Sequence, residues 1–223
     1  MKTRTKILIG ISALSAVGTC LAYPYLPETI PLHWNFSGQV DGWGGKTNVL
    51  WMGILPLAML ALFHFLPRLD PRKEAYAKHG KAMAVMETAL VVFFIGISWL
   101  VVAFALGMKI DVGDAVRIGM GLLFIVLGNF MGQIKRNYFV GIKTPWALAD
   151  DEVWRRTHRR GAWVFVIDGI LFVLSAALPD GPILVVFMVA FLLSIAYLYL
   201  YSYLSWRKVR RGSGLGPDPT NSQ

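Results

Sequence analysis

Cysteine is nearly missing from this chain. Cys20 is the single thiol in 223 residues, so no intrachain disulfide can staple the fold. Charge is scarce too. Asp, Glu, Lys and Arg together make up 16% of the sequence, against about 25% in an ordinary soluble domain. Acidic side chains are the rarer kind, with 13 Asp and Glu to 22 Lys and Arg and a net charge of +9. A chain with so little polar surface cannot cover a water-exposed fold. No strong nucleophile, metal set or acid–base pair stands out either. The expectation is therefore a protein that is not an enzyme and that carries no metal and no cofactor.

Apolar residues take the place of the missing charge, at 56% of the sequence with a mean hydropathy of +0.54. Runs of about 18 or more apolar residues are what a bilayer demands of a helix. Six runs meet or approach that length: 7–23, 49–66, 82–106, 116–134, 162–178 and 183–204. The connections between them are short. The predicted fold class is all-α, a polytopic membrane bundle of six transmembrane helices forming one domain over residues 1–211. A disordered tail is expected over 212–223.

Charge gives the orientation. With the amino terminus in the cytoplasm, nineteen of the 22 Lys and Arg fall on inside segments, and only Lys46, Lys109 and Arg117 fall outside or at the outer edge. That asymmetry follows the positive-inside rule and predicts that both termini are cytoplasmic. It also accounts for the +9 charge through contact with anionic lipid, with no direct role for nucleic acid. The first run is expected to stay in the mature protein, because no small-x-small cleavage site follows it and "VGTC" places Thr19 where a lipobox wants a small residue. Cys20 is expected to be a buried apolar filler in that helix.

Two stretches interrupt the apolar pattern. The first is "LPETIPLHWNFSGQVDGWGGK", residues 26–46, inside an extracytoplasmic loop over 24–48. Pro24, Pro27 and Pro31 fix φ and withhold donors, so the chain leaves the first helix extended. Gly38, Gly42, Gly44 and Gly45 permit tight turns. Trp34, Trp43, Trp51, Tyr23 and Tyr25 suit the headgroup level. His33, Asn35, Asp41 and Lys46 are either the internal partners of a compact cap or an outward-facing binding surface. One His and one Asp are too few for zinc.

The second is "GNFMGQIKRNYFVGIKTPWALADDEVWRRTHRRG", residues 128–161, which spans a cytoplasmic loop over 135–160. Thr144 followed by Pro145 fits a helix start. Asp150, Asp151 and Glu152 then open a second helical piece that closes on Arg155, Arg156, His158, Arg159 and Arg160, an order that suits the helix dipole at both ends. Val153, Trp154 and Thr157 share one stripe at 3.6-residue periodicity. An amphipathic helix running into the fifth span is predicted.

Two carboxylates lie within apolar runs. Glu87 is seven residues after Gly80 and Asp168 seven after Gly161, and each glycine follows a basic stretch with a histidine, His79 or His158. The parallel hints that spans two–three and four–five are distant copies of one hairpin. An acid at such depth must find a partner or stay protonated. His64 and Asn129 lie within reach in the predicted topology. The four polar groups form either interhelical hydrogen bonds or a proton or ligand pocket.

These two stretches resemble the motifs of the SdpI family of bacterial immunity proteins. The outer pattern P-x-H-x-N-x-x-G-x-x-D-x-x-x-x-K falls on Pro31, His33, Asn35, Gly38, Asp41 and Lys46. The inner one falls on Gly128, Asn129, Asn137, Gly141, Thr144, Pro145, Trp146, Trp154, Thr157 and His158. Ala149 departs from the Ser-like helix cap of similar proteins, and Asp150 is placed to take over. The resemblance implies an integral membrane protein that protects its cell from a secreted peptide toxin and holds a transcriptional repressor at the cytoplasmic face. Binding roles for both sets of motif residues come with it. The residues alone leave open a small proton-coupled transporter using His64, Glu87, Asn129 and Asp168, or a membrane enzyme. The oligomeric state is not legible.

Overall fold

The computed structural model describes residues 3–35, 38–178 and 182–212. The chain runs through α1 (Thr3–Ala22), a 3-10 turn at Tyr23–Tyr25, β1 (Thr29–Trp34), β2 (Val40–Gly45), α2 (Asn48–Leu69), α3 (Glu74–Lys78), α4 (Gly80–Ala105), α5 (Val112–Met131), α6 (Pro145–Ala149), α7 (Asp151–Ser175) and α8 (Pro182–Gly212). The expected tail beyond Gly212 lies outside the described residues. Long and short helices recur in one order, α2–α3–α4 and then α5–α6–α7, as the spacing of Glu87 and Asp168 suggested. The likeness stops short of register: Gly80 opens α4, whereas Gly161 lies within α7.

Among the described residues, five helices are long and apolar enough to cross a membrane: 3–25, 48–69, 80–105, 112–131 and 185–212. Their large apolar side chains point outward, as bilayer solvent requires: Leu14, Leu21, Ile54, Leu62, Val92, Leu122, Leu193 and Leu204 are all exposed. This is a multi-pass membrane bundle. The expected fifth span is not among the five. It forms the apolar half of α7, whose other half carries the acidic and basic residues 151–160.

Packing is built on close approach, the device available where lipid removes any hydrophobic drive between helices. α1, α2 and α4 form one group. Gly53 of α2 leaves no room for a Cβ beside the Thr19 side chain of α1, and the Trp99 indole of α4 lies over Gly18. The Trp99 N–H donates to Ser15 Oγ at 2.9 Å. α5, α7 and α8 form the other group. A Cβ on Gly121 would lie 2.5 Å from the Gly169 carbonyl, one on Gly169 2.6 Å from the Gly121 carbonyl, and one on Gly128 2.8 Å from the Ala162 carbonyl. The two groups meet where α4 packs against α5.

One expectation is corrected. Cys20 is exposed on α1 and fills no core space. The segment that follows the turn after α1 is extended, and it also pairs as an antiparallel hairpin with Thr29 opposite Gly45, Ile30 opposite Gly44, Pro31 opposite Trp43, His33 opposite Gly42 and Trp34 opposite Val40. The register shifts on either side of His33. The hairpin forms because it has a core to rest on. Ile30, with no exposed surface, packs with Leu26, Val49, Val101 and Val102.

Candidate functional site

The two motif-rich segments sit at opposite ends of α2. At the end after Leu69, the loop between α5 and α6 is clamped by side chains from three other elements. Asp70, just past α2, accepts the amides of Arg72 (2.7 Å) and Tyr138 (2.9 Å). The Tyr76 hydroxyl of α3 has a single proton. It lies 2.8 Å from Asp70 Oδ2 and 3.3 Å from Asn137 Oδ1, so it donates to the carboxylate. His79 Nδ1 accepts the Lys135 amide at 3.0 Å. Trp154 of α7 donates its indole N–H to the Ile134 carbonyl at 2.8 Å.

Asn137, with no exposed surface, acts as the pin of this loop. Its Oδ1 accepts the amides of Phe139 (2.9 Å) and Val140 (2.7 Å), and its Nδ2 donates to the carbonyls of Lys135 (2.9 Å) and Val140 (3.0 Å). Gly141 then turns with φ +116°, and a Cβ there would overlap His158 Nε2 and lie 3.2 Å from the Trp154 ring. That vacancy lets His158 reach the loop. Its Nδ1–H donates to the Trp154 carbonyl at 2.9 Å and its Nε2 accepts the Ile142 amide at 3.0 Å, which sets the neutral tautomer. The imidazole stacks on the Trp154 indole at 3.9 Å.

The same end is tied to α8 and α7 by the residues that follow. Thr144 caps α6 by accepting the Ala147 amide at 3.1 Å and shares a 2.5 Å hydrogen bond with Ser202 of α8. Pro145 takes the first helical position, and Trp146 packs on Tyr199 and Tyr203 at about 5 Å. Asp150 caps α7 through the amides of Glu152 and Val153, as its position after Ala149 suggested. Thr157 is fully buried on the α7 stripe beside Trp154 and His158.

Burial and charge fix the protonation states here. Desolvation drives the His158 pKa down to about 4, against the pull of the Trp154 carbonyl. His79 is lowered as well, by burial and then by the Lys135 charge, with Asp70 opposing. For Asp70, burial pushes upward, but the Tyr138 and Arg72 amides, the Tyr76 hydroxyl and the Arg72 charge outweigh it and hold the carboxyl below its ordinary range. Tyr76 is raised by burial and by that same carboxylate. The clamp thus works with neutral imidazoles and an ionised aspartate.

At the opposite end, the hairpin presents a different arrangement. His33 Nδ1 lies 2.5 Å from Asp41 Oδ1, with 72% and 43% of the two side chains exposed. Lys46 pairs with Glu28 at 2.9 Å and lies over the Tyr23 ring. Asn35 Oδ1 accepts the Gln39 amide at 3.1 Å, and Gly38 turns with φ +70°. Pro31 sits in β1 opposite Trp43, which is 63% exposed. Trp34 turns the other way and meets Phe104 of α4 edge to face.

Of the intramembrane candidates, no two meet. Glu87 ion-pairs with Arg4 of α1, whose guanidinium also donates to the Ala84 carbonyl and Thr88 Oγ1. Asp168 is buried and accepts from Ser194 of α8 at 3.0 Å. His64 is exposed and stacks edge-on with Phe65, and Asn129 is exposed and bonds back to the Ile125 carbonyl of its own helix. Asn129 therefore stands apart from the clamp, as does Gly128, which packs against Ala162 of α7. Among the described residues no group of three His, Cys, Asp or Glu is placed to hold a metal.

Residues 133–202, which contain the clamp loop, α6, α7 and most of α8, match the model of the SdpI/YfhL protein family. The Immunity protein SdpI of Bacillus subtilis (strain 168) is 27% identical over 203 residues, covering 91% of this chain and 96% of the relative. Both findings are likenesses to the SdpI family. Residues 10–60, which include the hairpin, match a domain of unknown function, DUF1648. No solved structure matches. The matched segment thus holds the inner motif residues from Asn137 to His158, while Gly128 and Asn129, and Asp70, Tyr76 and His79, which complete the clamp, lie outside both matched segments.

Proposed function

We propose that this chain is an integral membrane immunity protein that protects its cell from a secreted peptide toxin met at the outer hairpin. The single observation that carries the reading is similarity to an immunity protein along nearly the whole length of both chains. The hairpin supports the outer role, because its His33–Asp41 pair and its Trp43 ring are exposed, as is Tyr25 in the turn before it. We place both termini and the clamp in the cytoplasm, with the Ala162–Leu178 run as a sixth span, on the distribution of basic residues. A repressor held at that inner face belongs to the same proposal, and catalysis does not.

The decisive experiment is a protection assay. Toxin-sensitive bacteria expressing the chain are challenged with a purified peptide toxin of the kind that family immunity proteins counter, with membrane abundance measured in parallel. Survival above the empty-vector control is expected. Abundant, correctly inserted protein without protection would sink the proposal. Glu87→Gln and Asp168→Asn should both stay protective, because each acid is tied to a partner on a neighbouring helix. Loss of protection in both, at unchanged abundance, would favour the proton-coupled transporter instead.

A further inference from the structure

α7 carries a second stripe, turned away from the clamp. Glu152, Arg155, Arg156, Arg159, Arg160 and Trp163 follow one another at helical spacing and, with Tyr201 of α8, line an open groove of about 500 Å³. Four arginines here face one glutamate. Glu152 is occupied by Arg155 and Arg156, at 2.7 Å to each. Arg160 lies over the Tyr201 ring at 5.1 Å, and Arg159 is exposed with no acidic partner among the described residues. The groove is therefore left with uncompensated positive charge.

The shape of the surroundings says what anion fits. Trp163 is 67% exposed, and from it the same face of α7 continues as Ile167, Ile170 and Leu174, all exposed. A cationic groove thus opens onto an apolar wall along one helix face. A free anion needs only the first and an acidic protein segment has no use for the second, whereas a lipid has a headgroup and chains in that order. Basic pockets where a membrane helix leaves the bilayer suit anionic headgroups, and arginine suits phosphate through its planar fork. From this geometry we infer that the Arg159–Arg160 groove binds the phosphate of an anionic membrane phospholipid, whose acyl chains lie along Trp163, Ile167 and Ile170.

The full-length protein, purified in detergent, is titrated with phosphatidylglycerol or phosphatidylcholine, and bound lipid is counted by native mass spectrometry. Tight binding of phosphatidylglycerol over phosphatidylcholine is expected. Arg159→Gln/Arg160→Gln should weaken it roughly ten- to thirty-fold, the effect of removing two cations near a lipid phosphate. Lys78→Gln/Lys81→Gln, which removes equal charge from exposed positions elsewhere, should leave it unchanged. Unfolding temperature without added lipid checks the fold, and either single arginine variant replaces the double one if that fails, with a three- to five-fold loss expected. Wild-type binding by the arginine variants, or an equal loss in the lysine control, overturns the inference. Displacement of the lipid by equimolar inorganic phosphate or by a glutamate-rich peptide overturns it too, and reassigns the groove to a soluble anion or a protein segment.

Discussion

The inner clamp and the outer hairpin draw on the same residue types, histidine, asparagine, glycine, proline and tryptophan, and use them in opposite ways. His158 has no exposed surface and spends both ring nitrogens on the backbone, while His33 leaves 72% of its side chain in solvent and spends one nitrogen on Asp41. Asn137 satisfies two amides and two carbonyls of its own loop, while Asn35 takes one amide at an exposed turn. Trp154 is buried and Trp43 is exposed. Polar groups consumed by their own backbone hold a shape. Side chains held in solvent, as those of His33 and Asp41 are, remain accessible to something else. The clamp is accordingly a structural device, whatever it presents to a partner, and the hairpin is the better candidate for recognition.

That contrast predicts a graded series of effects. Gly141→Ala is the most damaging, because a left-handed backbone and an overlap with His158 act together. A loss of about 3 kcal/mol or more is expected, read as denaturant unfolding in detergent micelles. Unaltered unfolding would show that the clamp does not depend on that close approach.

The pH response comes next. His158 is held neutral with a pKa near 4, and in the unfolded chain it titrates at its ordinary value of about 6.5. A depressed histidine contributes stability above that ordinary value. The contribution falls by about 1.4 kcal/mol per pH unit as pH drops from about 6.5 towards 4, roughly 3 kcal/mol in all. His79 acts in the same direction, whereas Asp70, depressed as an acid, loses its contribution only as pH falls through the range below its ordinary value. Unfolding temperature against pH should therefore drop between pH 6.5 and 5, and the slope should shrink in His158→Gln. A flat profile in the native protein would contradict the neutral clamp.

Asn137→Ala strands the Phe139 and Val140 amides and should cost about 2 kcal/mol, with faster hydrogen exchange at those two positions. Slow exchange there in the variant would mean that the loop holds without its pin. The smallest stability effect belongs to the hairpin. His33→Ala and Asp41→Asn each alter one side of an exposed hydrogen-bonded pair and should change stability by less than about 0.5 kcal/mol, while protection against toxin weakens. A loss of membrane abundance instead would make the pair part of a cap, and unchanged protection at equal abundance would move recognition elsewhere.

The apolar runs announced the helices because lipid-facing positions carry no other pattern, and Thr144, Pro145 and Asp150 announced the caps because capping is local chemistry. The stripe of Val153, Trp154 and Thr157 pointed inward as its spacing required. The hairpin was harder to see. Its prolines and glycines read as turns, and what holds it is packing of Ile30 and Trp34 against α2 and α4, although the alternation through Thr29, Ile30, Leu32 and Trp34 was a strand signal. Asp70, Tyr76 and His79 were missed as clamp residues because they meet the loop from some sixty residues away. The Arg4–Glu87 pair was nearer to hand, since both residues sit close to the same end of their helices.

The glycine contacts between α5 and α7 bear on how the protein is made. The apolar half of α7, residues 162–175, is about 21 Å long at helical rise and contains Asp168, too short and too polar to partition alone into a hydrocarbon layer of about 30 Å. α5 leaves the ribosome first and passes the length and apolarity test that α7 fails. Gly121 and Gly128 then offer α7 a seat at backbone distance. On the proposed six-span topology α5 would serve as an insertion template, with α7 following it as the second member of a pair.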